Sequence, residues 1–150
     1  MNLFGMLEVS GSAMTAERQR AQVVVSNMAN AQTTRTPEGG PYNRQLVVFR
    51  AQRHSEFPIA LTTALAVSGG RTSAAEGVRV EQVVNDAKPP ILRYEPGNPD
   101  ADAKGYVAYP AVDPVEEMAD LLGAVRAYEL NASAVQAAKG MIQQSMDILK

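Results

Sequence analysis

Residues 114–150 carry an apolar repeat whose spacing alternates between three and four residues without a break. Asp113 is a suitable N-cap, Pro114 suits the first helical position, and two glutamates follow in the first turn. The repeat predicts one α-helix roughly 55 Å long, which is typical of a coiled coil or a filament element rather than of a globular domain. Lys139 is the one exception among its ten positions, and the other nine are Met118, Leu121, Val125, Tyr128, Ala132, Val135, Ile142, Met146 and Leu149.

A second helix is predicted near the N-terminus, over residues 2–32. Pro37 and the pair Gly39-Gly40 prevent its continuation. We expect the two helices to pack as a coiled-coil-like core, and we call the apolar positions of both repeats the assembly seam. Gly11 and Arg18 interrupt the N-terminal repeat, whose apolar members are Phe4, Leu7, Met14, Ala21, Val25 and Met28.

The segment between the helices has a different period and most of the glycine and proline. Residues 45–53 and 77–84 alternate and are β-branched, so they predict strands. Residues 89–110 predict short extended pieces and tight turns, and residues 55–77 an irregular or mobile segment. The predicted fold class is therefore α+β. A discontinuous helical core domain (1–36 and 113–150) would carry a small β-rich outer domain (37–112).

The turn after the first helix contains residues that restrict the backbone strongly. Pro37 fixes φ, and Gly39 and Gly40 can take positive φ. We expect these residues to form a sharp exit that directs the β-rich segment away from the helices.

Composition and motifs give no support for catalysis. The chain has no cysteine, a net charge of −2 and one histidine, His54. These features remove thiolate chemistry and cysteine-ligated metals, and they give no basis for a nucleic-acid partner. Residues 98–105 resemble the start of a calcium loop only in part. In a twelve-residue loop that begins at Asn98, Ala103 stands where glycine is needed and Tyr109 where glutamate is needed. We therefore expect no enzyme activity, cofactor, metal or small-molecule substrate.

Membrane insertion and secretion signals are also missing from the pattern. No window approaches 18 uninterrupted apolar residues, so no membrane-spanning segment is predicted. The first 20 residues lack a basic region and an apolar core, so we expect no cleavable signal peptide.

The remaining faces of both helices are rich in neutral amides and alanine rather than in lysine and glutamate. Such a face suits packing against several neighbours or the lining of an uncharged aqueous channel. A plain two-helix hairpin with an amide-rich outer face is the alternative.

Two pairs of motifs resemble a known family. The sequences SNMANAQTT (26–34) and RAYELNASAVQAAKGM (126–141) resemble the terminal signatures of bacterial flagellar axial proteins, which form the rod and hook. TRTPEGGPY (34–42) and PGNPDADAKGYVAYPAVDPVEEM (96–118) more particularly resemble the family of basal-body rod protein C, a proximal rod component. The resemblance covers nearly the whole chain, apart from residues 55–88.

This resemblance implies a structural role. It implies export through the flagellar type III apparatus and assembly with copies of itself and other rod subunits. The product would be a hollow helical rod in the periplasm that transmits torque, with the helices inside and the β-rich segment outside. The polar side chains that end the inner helix would hydrogen-bond neighbouring subunits, namely Asn27, Asn30, Thr33 and Thr34.

Other interpretations remain open at this point. The chain could be a sister axial protein of the rod, or a soluble coiled-coil adaptor outside the flagellum. Because the assembly seam consists of small and medium side chains, we expect residues 1–30 and 115–150 to be largely unfolded in the isolated chain.

Overall fold

The computed structural model describes residues 3–52 and 77–148. Helix α1 spans Leu3–Ala29 and helix α2 spans Pro114–Ile148. Four strands lie between them: β1 (Gln45–Gln52), β2 (Gly77–Asn85), β3 (Ile91–Tyr94) and β4 (Tyr106–Tyr109). The α+β fold class predicted from the sequence is confirmed.

Both helices begin and end close to the predicted residues. At the start of α2, the Asp113 side chain accepts a hydrogen bond from the Val115 amide at 2.9 Å, as expected of an N-cap. With 35 residues, α2 is about 52 Å long. None of the helices in the described residues is long and apolar enough to cross a membrane.

The two helices pack along each other in opposite directions. Asn27, near the end of α1, bonds to Glu117, and Arg20, two turns earlier, bonds to Asp120. As α1 advances along the chain its partners on α2 therefore move backward. The buried apolar side chains are small, with Ala16 and Val24 on α1 and Ala124 and Ala138 on α2 among them. Small side chains allow the two backbones to approach closely.

Strands β1 and β2 form an antiparallel ribbon in which Gln45 pairs with Asn85 and Gln52 with Gly77. The register shifts between Val48 and Phe49, which marks a β-bulge. Both strands were predicted from their alternation, and both are confirmed. The ribbon packs on α1, so the helix is covered on two sides, by α2 and by the ribbon.

The exit after α1 is sharp, as expected, but its direction is not the expected one. Gly39 and Gly40 have φ of 90° and 79°, which confirms the positive φ predicted for them. The Tyr42 amide returns to the Thr33 carbonyl at 3.0 Å, so the segment closes on itself. The ribbon then lies against α1 rather than pointing away from it, and that expectation was wrong.

Strands β3 and β4 form a separate antiparallel hairpin, closed by a turn-rich loop over residues 95–105. The Asp102 carboxylate accepts hydrogen bonds from the amides of Lys104 and Tyr106 at 2.8 and 2.9 Å. The Asn98 side chain accepts one from the Asp100 amide. These side chains stabilise local turns, as predicted for this segment. Within the described residues, no group of three or more His, Asp or Glu is placed to hold a metal.

Three of the sequence expectations concern residues outside the described part of the chain. They are the irregular segment at 55–77 (all but its last residue), His54 and Leu149.

Candidate assembly site

Asn27 lies at the point where α1, α2 and β1 meet, and its side chain is only 1% exposed. Its amide nitrogen donates to the Gln45 carbonyl at 2.9 Å and to Glu117 Oε2 at 3.0 Å. Its carbonyl oxygen accepts from the Gln45 amide and from the Tyr42 hydroxyl, both at 2.9 Å. All four hydrogen-bonding positions of the side chain are thus used within the chain. The start of β1 pairs with this amide much as it would with another strand.

Arg44 completes the same cluster and is 8% exposed. Its Nε donates to Glu117 Oε1 at 2.5 Å, and Glu117 itself is 1% exposed. The other guanidinium nitrogens lie 3.4 Å from Glu116, 3.7 Å from Asp120 and 3.8 Å from Asp86. We call Asn27, Arg44 and Glu117 the polar joint, because each comes from a different part of the chain.

The electrostatics of the joint keep the guanidinium charged. Burial acts to lower the pKa of Arg44, but the hydrogen bond to Glu117 and the attraction of Glu117, Glu116 and Asp86 outweigh it and raise that pKa. A buried carboxylate of this kind needs a charged partner and further hydrogen bonds. Glu117 has both, from Arg44 and Asn27.

Beside the joint, two crevices of about 330 Å³ each open between α1 and the ribbon. Val23 and Gln45 line both of them. Their other walls combine valine with glutamine and with the charged side chains of the joint. They are gaps in the packing between α1 and the ribbon.

The two motifs that most closely resemble the rod family contact each other. The Thr34 hydroxyl donates to Asp100 Oδ2 at 2.7 Å, and Arg35 lies 3.7 Å from Asp100 Oδ1. The loop after α1 is therefore tied to the loop between β3 and β4, although 66 residues separate Thr34 from Asp100.

The assembly seam predicted from the sequence is only partly covered within the chain. Its largely exposed members are Phe4, Val25, Met118, Val125, Tyr128 and Met146. Those of intermediate exposure are Leu7, Met14, Ala21, Met28, Leu121, Ala132, Val135 and Ile142.

The contact between the helices lies one residue earlier than the repeat predicts. On α1, Val24 is 5% exposed while Val25 is 50% exposed. On α2, Ala124 is 1% exposed while Val125 is 42% exposed. Most of the buried residues on the two helices are small or polar, namely Ser10, Ala16, Val24 and Asn27 on α1 and Glu117, Ala124 and Ala138 on α2. One residue corresponds to about 100° around a helix, so much of the apolar repeat faces outward.

Comparison with known proteins identifies the family. The chain is 42% identical to the flagellar basal-body rod protein FlgC of Bacillus subtilis, with 100% of both chains covered. It is 37% identical to FlgC of Borreliella burgdorferi, over 100% of this chain and 99% of that protein. The chain belongs to the FlgC family. It is a structural rod subunit of the bacterial flagellar basal body.

More distant similarities agree with this assignment. FlgC of Salmonella typhimurium is 35% identical over 99% of this chain. Residues 103–148 also match the family model described as "Flagellar basal body rod FlgEFG protein C-terminal". That match covers β4 and all of α2, so the C-terminal helix belongs to a pattern found in rod proteins.

The sequence interpretation missed the roles of all three residues of the joint. Asn27 was expected to bond neighbouring subunits, and this is corrected by the structure, because its side chain is fully used inside the chain. Arg44 was not singled out at all, since a lone arginine before a strand has no local signal. The glutamate pair at 116–117 was assigned to the helix dipole alone, yet Glu117 is buried. Glu117 directly precedes Met118, the first position of the predicted repeat, so the repeat gave no signal that Glu117 is buried.

Proposed function

We propose that this rod subunit builds the proximal part of a hollow helical rod, together with copies of itself and other rod subunits. In this arrangement the helical core, residues 1–36 and 113–150, forms the inner layer around the export channel. The β-rich segment, residues 37–112, forms the outer layer. The rod crosses the periplasm and transmits torque.

The observation that carries the proposal is the exposure of the assembly seam. Val25, Val125 and Tyr128 are 50%, 42% and 40% exposed in the single chain. Exposed apolar side chains that recur on one face of a helix mark a surface that a partner covers. Such side chains occur on both helices, so they fit neighbours stacked along the rod better than one compact partner.

Export is the second part of the proposal. A subunit that assembles beyond the inner membrane must cross that membrane before it joins the rod. We propose passage through the flagellar type III export apparatus in an unfolded state. The absence of cysteine removes one source of mispairing on that route.

Imaging of isolated basal bodies tests the proposal. Cells that lack the gene for this chain should yield basal bodies without a complete rod, and a plasmid copy should restore the rod. Complete rods in the deletion strain would show that the chain has no part in building the rod.

A single substitution tests the assembly seam itself. Val125→Asp places a charge on a side chain that is exposed in the single chain, so the fold should survive while assembly fails, because the charge would be buried against a neighbour. Arg126→Asp, one residue away, is the matched control, since this exposed position already carries a charge. Leu121→Asp and Val135→Asp should also block assembly. Normal rods with Val125→Asp would show that the seam is not part of the assembly surface.

A further inference from the structure

The two helices bury Val24 and Ala124 and leave Val25 and Val125 exposed, which the apolar repeats alone do not explain. The repeats that contain Val25 and Val125 are the more apolar ones, and hydrophobic burial alone favours bringing them together. The observed packing instead buries Val24, Glu117 and Ala124 and covers Ala21 and Leu121 of the seam only partly. Some interaction must select this rotation of the helices over the neighbouring one.

The polar joint exists only in the observed rotation. Asn27 and Glu117 face each other across the helix contact at 3.0 Å, and Arg44 reaches Glu117 from the ribbon side. Turning either helix by one residue, about 100°, would carry one of these side chains away from the others. Buried polar groups fix the register of helices in this way because the wrong register leaves them unpaired.

We propose that the joint of Asn27, Arg44 and Glu117 fixes the rotational register of α1 and α2 and thereby keeps the row of the assembly seam that contains Val25 and Val125 on the outside. The use of this row in assembly rests on the proposed function, whereas the control of register does not. Arg44 and Glu117 act here as positioning residues, since they set what Val25 and Val125 can contact.

Thiol alkylation measures the register directly, because the natural chain has no cysteine. Four single-cysteine variants are needed: Val24→Cys and Ala124→Cys at inward positions, and Val25→Cys and Val125→Cys at outward ones. In the otherwise natural chain, the inward thiols should react at least about tenfold more slowly than the outward thiols, because a buried thiol reacts only after local opening. Equal rates at positions 24 and 25, and at 124 and 125, would overturn the proposal.

The decisive variant is Arg44→Ala with Glu117→Ala, which removes the ion pair without adding a large apolar side chain to the inward face. The helices should then rotate, so that the thiols at 25 and 125 become as slow as those at 24 and 124 or slower. Arg44→Gln with Glu117→Gln is the matched control, since it keeps polar partners and should keep the natural order of rates. A helical Ala pair with unchanged rates would overturn the proposal.

Helical circular dichroism accompanies each measurement. If the Ala pair loses its helices, the Gln pair decides, and any order of rates there other than the natural one contradicts the proposal. Rod assembly is scored separately in basal bodies. A chain that shows the expected register but never enters the rod would refute the proposed function and leave the control of register standing.

Discussion

The two ends of the α1–α2 pair are held in different ways. At one end, Asn27, Arg44 and Glu117 tie both helices to the ribbon through charged and neutral hydrogen bonds. At the other end, Ala138 is the last buried residue of the described part of α2. From residue 139 onward the described side chains are partly or fully exposed, with Met141 and Met146 at 46% and 61%.

This difference separates what the chain supplies from what its neighbours must supply. The joint satisfies its buried polar groups within the chain, so we expect this end to become ordered without another subunit. The distal end of α2, residues 139–148, gains little from packing within the chain, and isolated helical segments are marginal in water. Its exposed methionines are flexible apolar side chains that can adapt to a neighbouring surface.

The largest expected effect follows from breaking the joint end. Arg44→Gln leaves Glu117 buried without its charged partner, which should cost about 3–5 kcal/mol of unfolding free energy. Chemical denaturation of the purified chain measures this loss. Adding Glu117→Gln should restore most of it, because the buried charge is then gone. A loss below about 1 kcal/mol in the single variant would mean that the joint does not hold this end.

A smaller effect should come from the contact between the ribbon and Ser12 of α1, which lies farther from the joint. A Cβ added at Gly77 would lie 2.5 Å from the Ser12 hydroxyl oxygen, which accepts the Val78 amide at 3.0 Å. Gly77→Ala should therefore destabilise the chain by about 1–3 kcal/mol.

Gly140→Ala is the matched control in the distal end, because a Cβ there meets nothing within 4 Å. It should leave stability unchanged or raise it by up to about 1 kcal/mol through helix propensity. Thermal unfolding of both variants gives the comparison. Equal destabilisation would contradict the contrast between the two ends.

The sequence predicted the elements of the fold well because their signals are local. The apolar repeat of α2, the cap at Asp113 and the alternation of β1 and β2 each depend on neighbouring residues. The positive φ of Gly39 and Gly40 is one that glycine can adopt without steric cost. The resemblance of the terminal motifs to the rod family was likewise confirmed by the comparison with known proteins.

The rotation of the helices and the path of the ribbon could not be predicted in the same way. Both depend on contacts between residues far apart in the chain, such as Asn27 with Gln45 and Arg44 with Glu117. Hydrophobic periodicity placed the helix contact on Val25 and Val125, because it weighs apolar area and ignores buried polar pairs. Periodicity therefore cannot predict the one-residue offset, because the offset depends on the pairing of Arg44 with Glu117.

A change at the distal end should have almost no effect on the single chain. Met146→Ser removes an exposed apolar side chain, so the unfolding free energy should stay within about 0.5 kcal/mol. Motility should fall nonetheless if neighbouring subunits cover this side chain. Swimming assays and denaturation of the same variant measure the two quantities, and a large loss of monomer stability would show that Met146 packs within its own chain.

The smallest effect concerns pH and the hairpin of β3 and β4. The Tyr109 hydroxyl donates to Glu95 at 2.9 Å, and this hydrogen bond is the main reason that the pKa of Tyr109 is raised above 10.0. The neutral phenol is thus favoured in the folded chain. Its contribution to stability is complete below pH 10.0 and is lost as pH rises through the folded-state pKa. Tyr109→Phe should lack this component, so thermal unfolding of both forms across that range tests it.

Amide hydrogen exchange, resolved by residue, tests the contrast between the two ends most directly. The sequence alone led us to expect both terminal helices to be largely unfolded in the isolated chain, and the structure narrows that expectation to the distal end. In the isolated chain, residues 20–27 and 117–124 should exchange slowly and residues 139–148 rapidly, and in assembled basal bodies both groups should exchange slowly. Equal protection of the two groups in the isolated chain, whether high or low, would contradict the account.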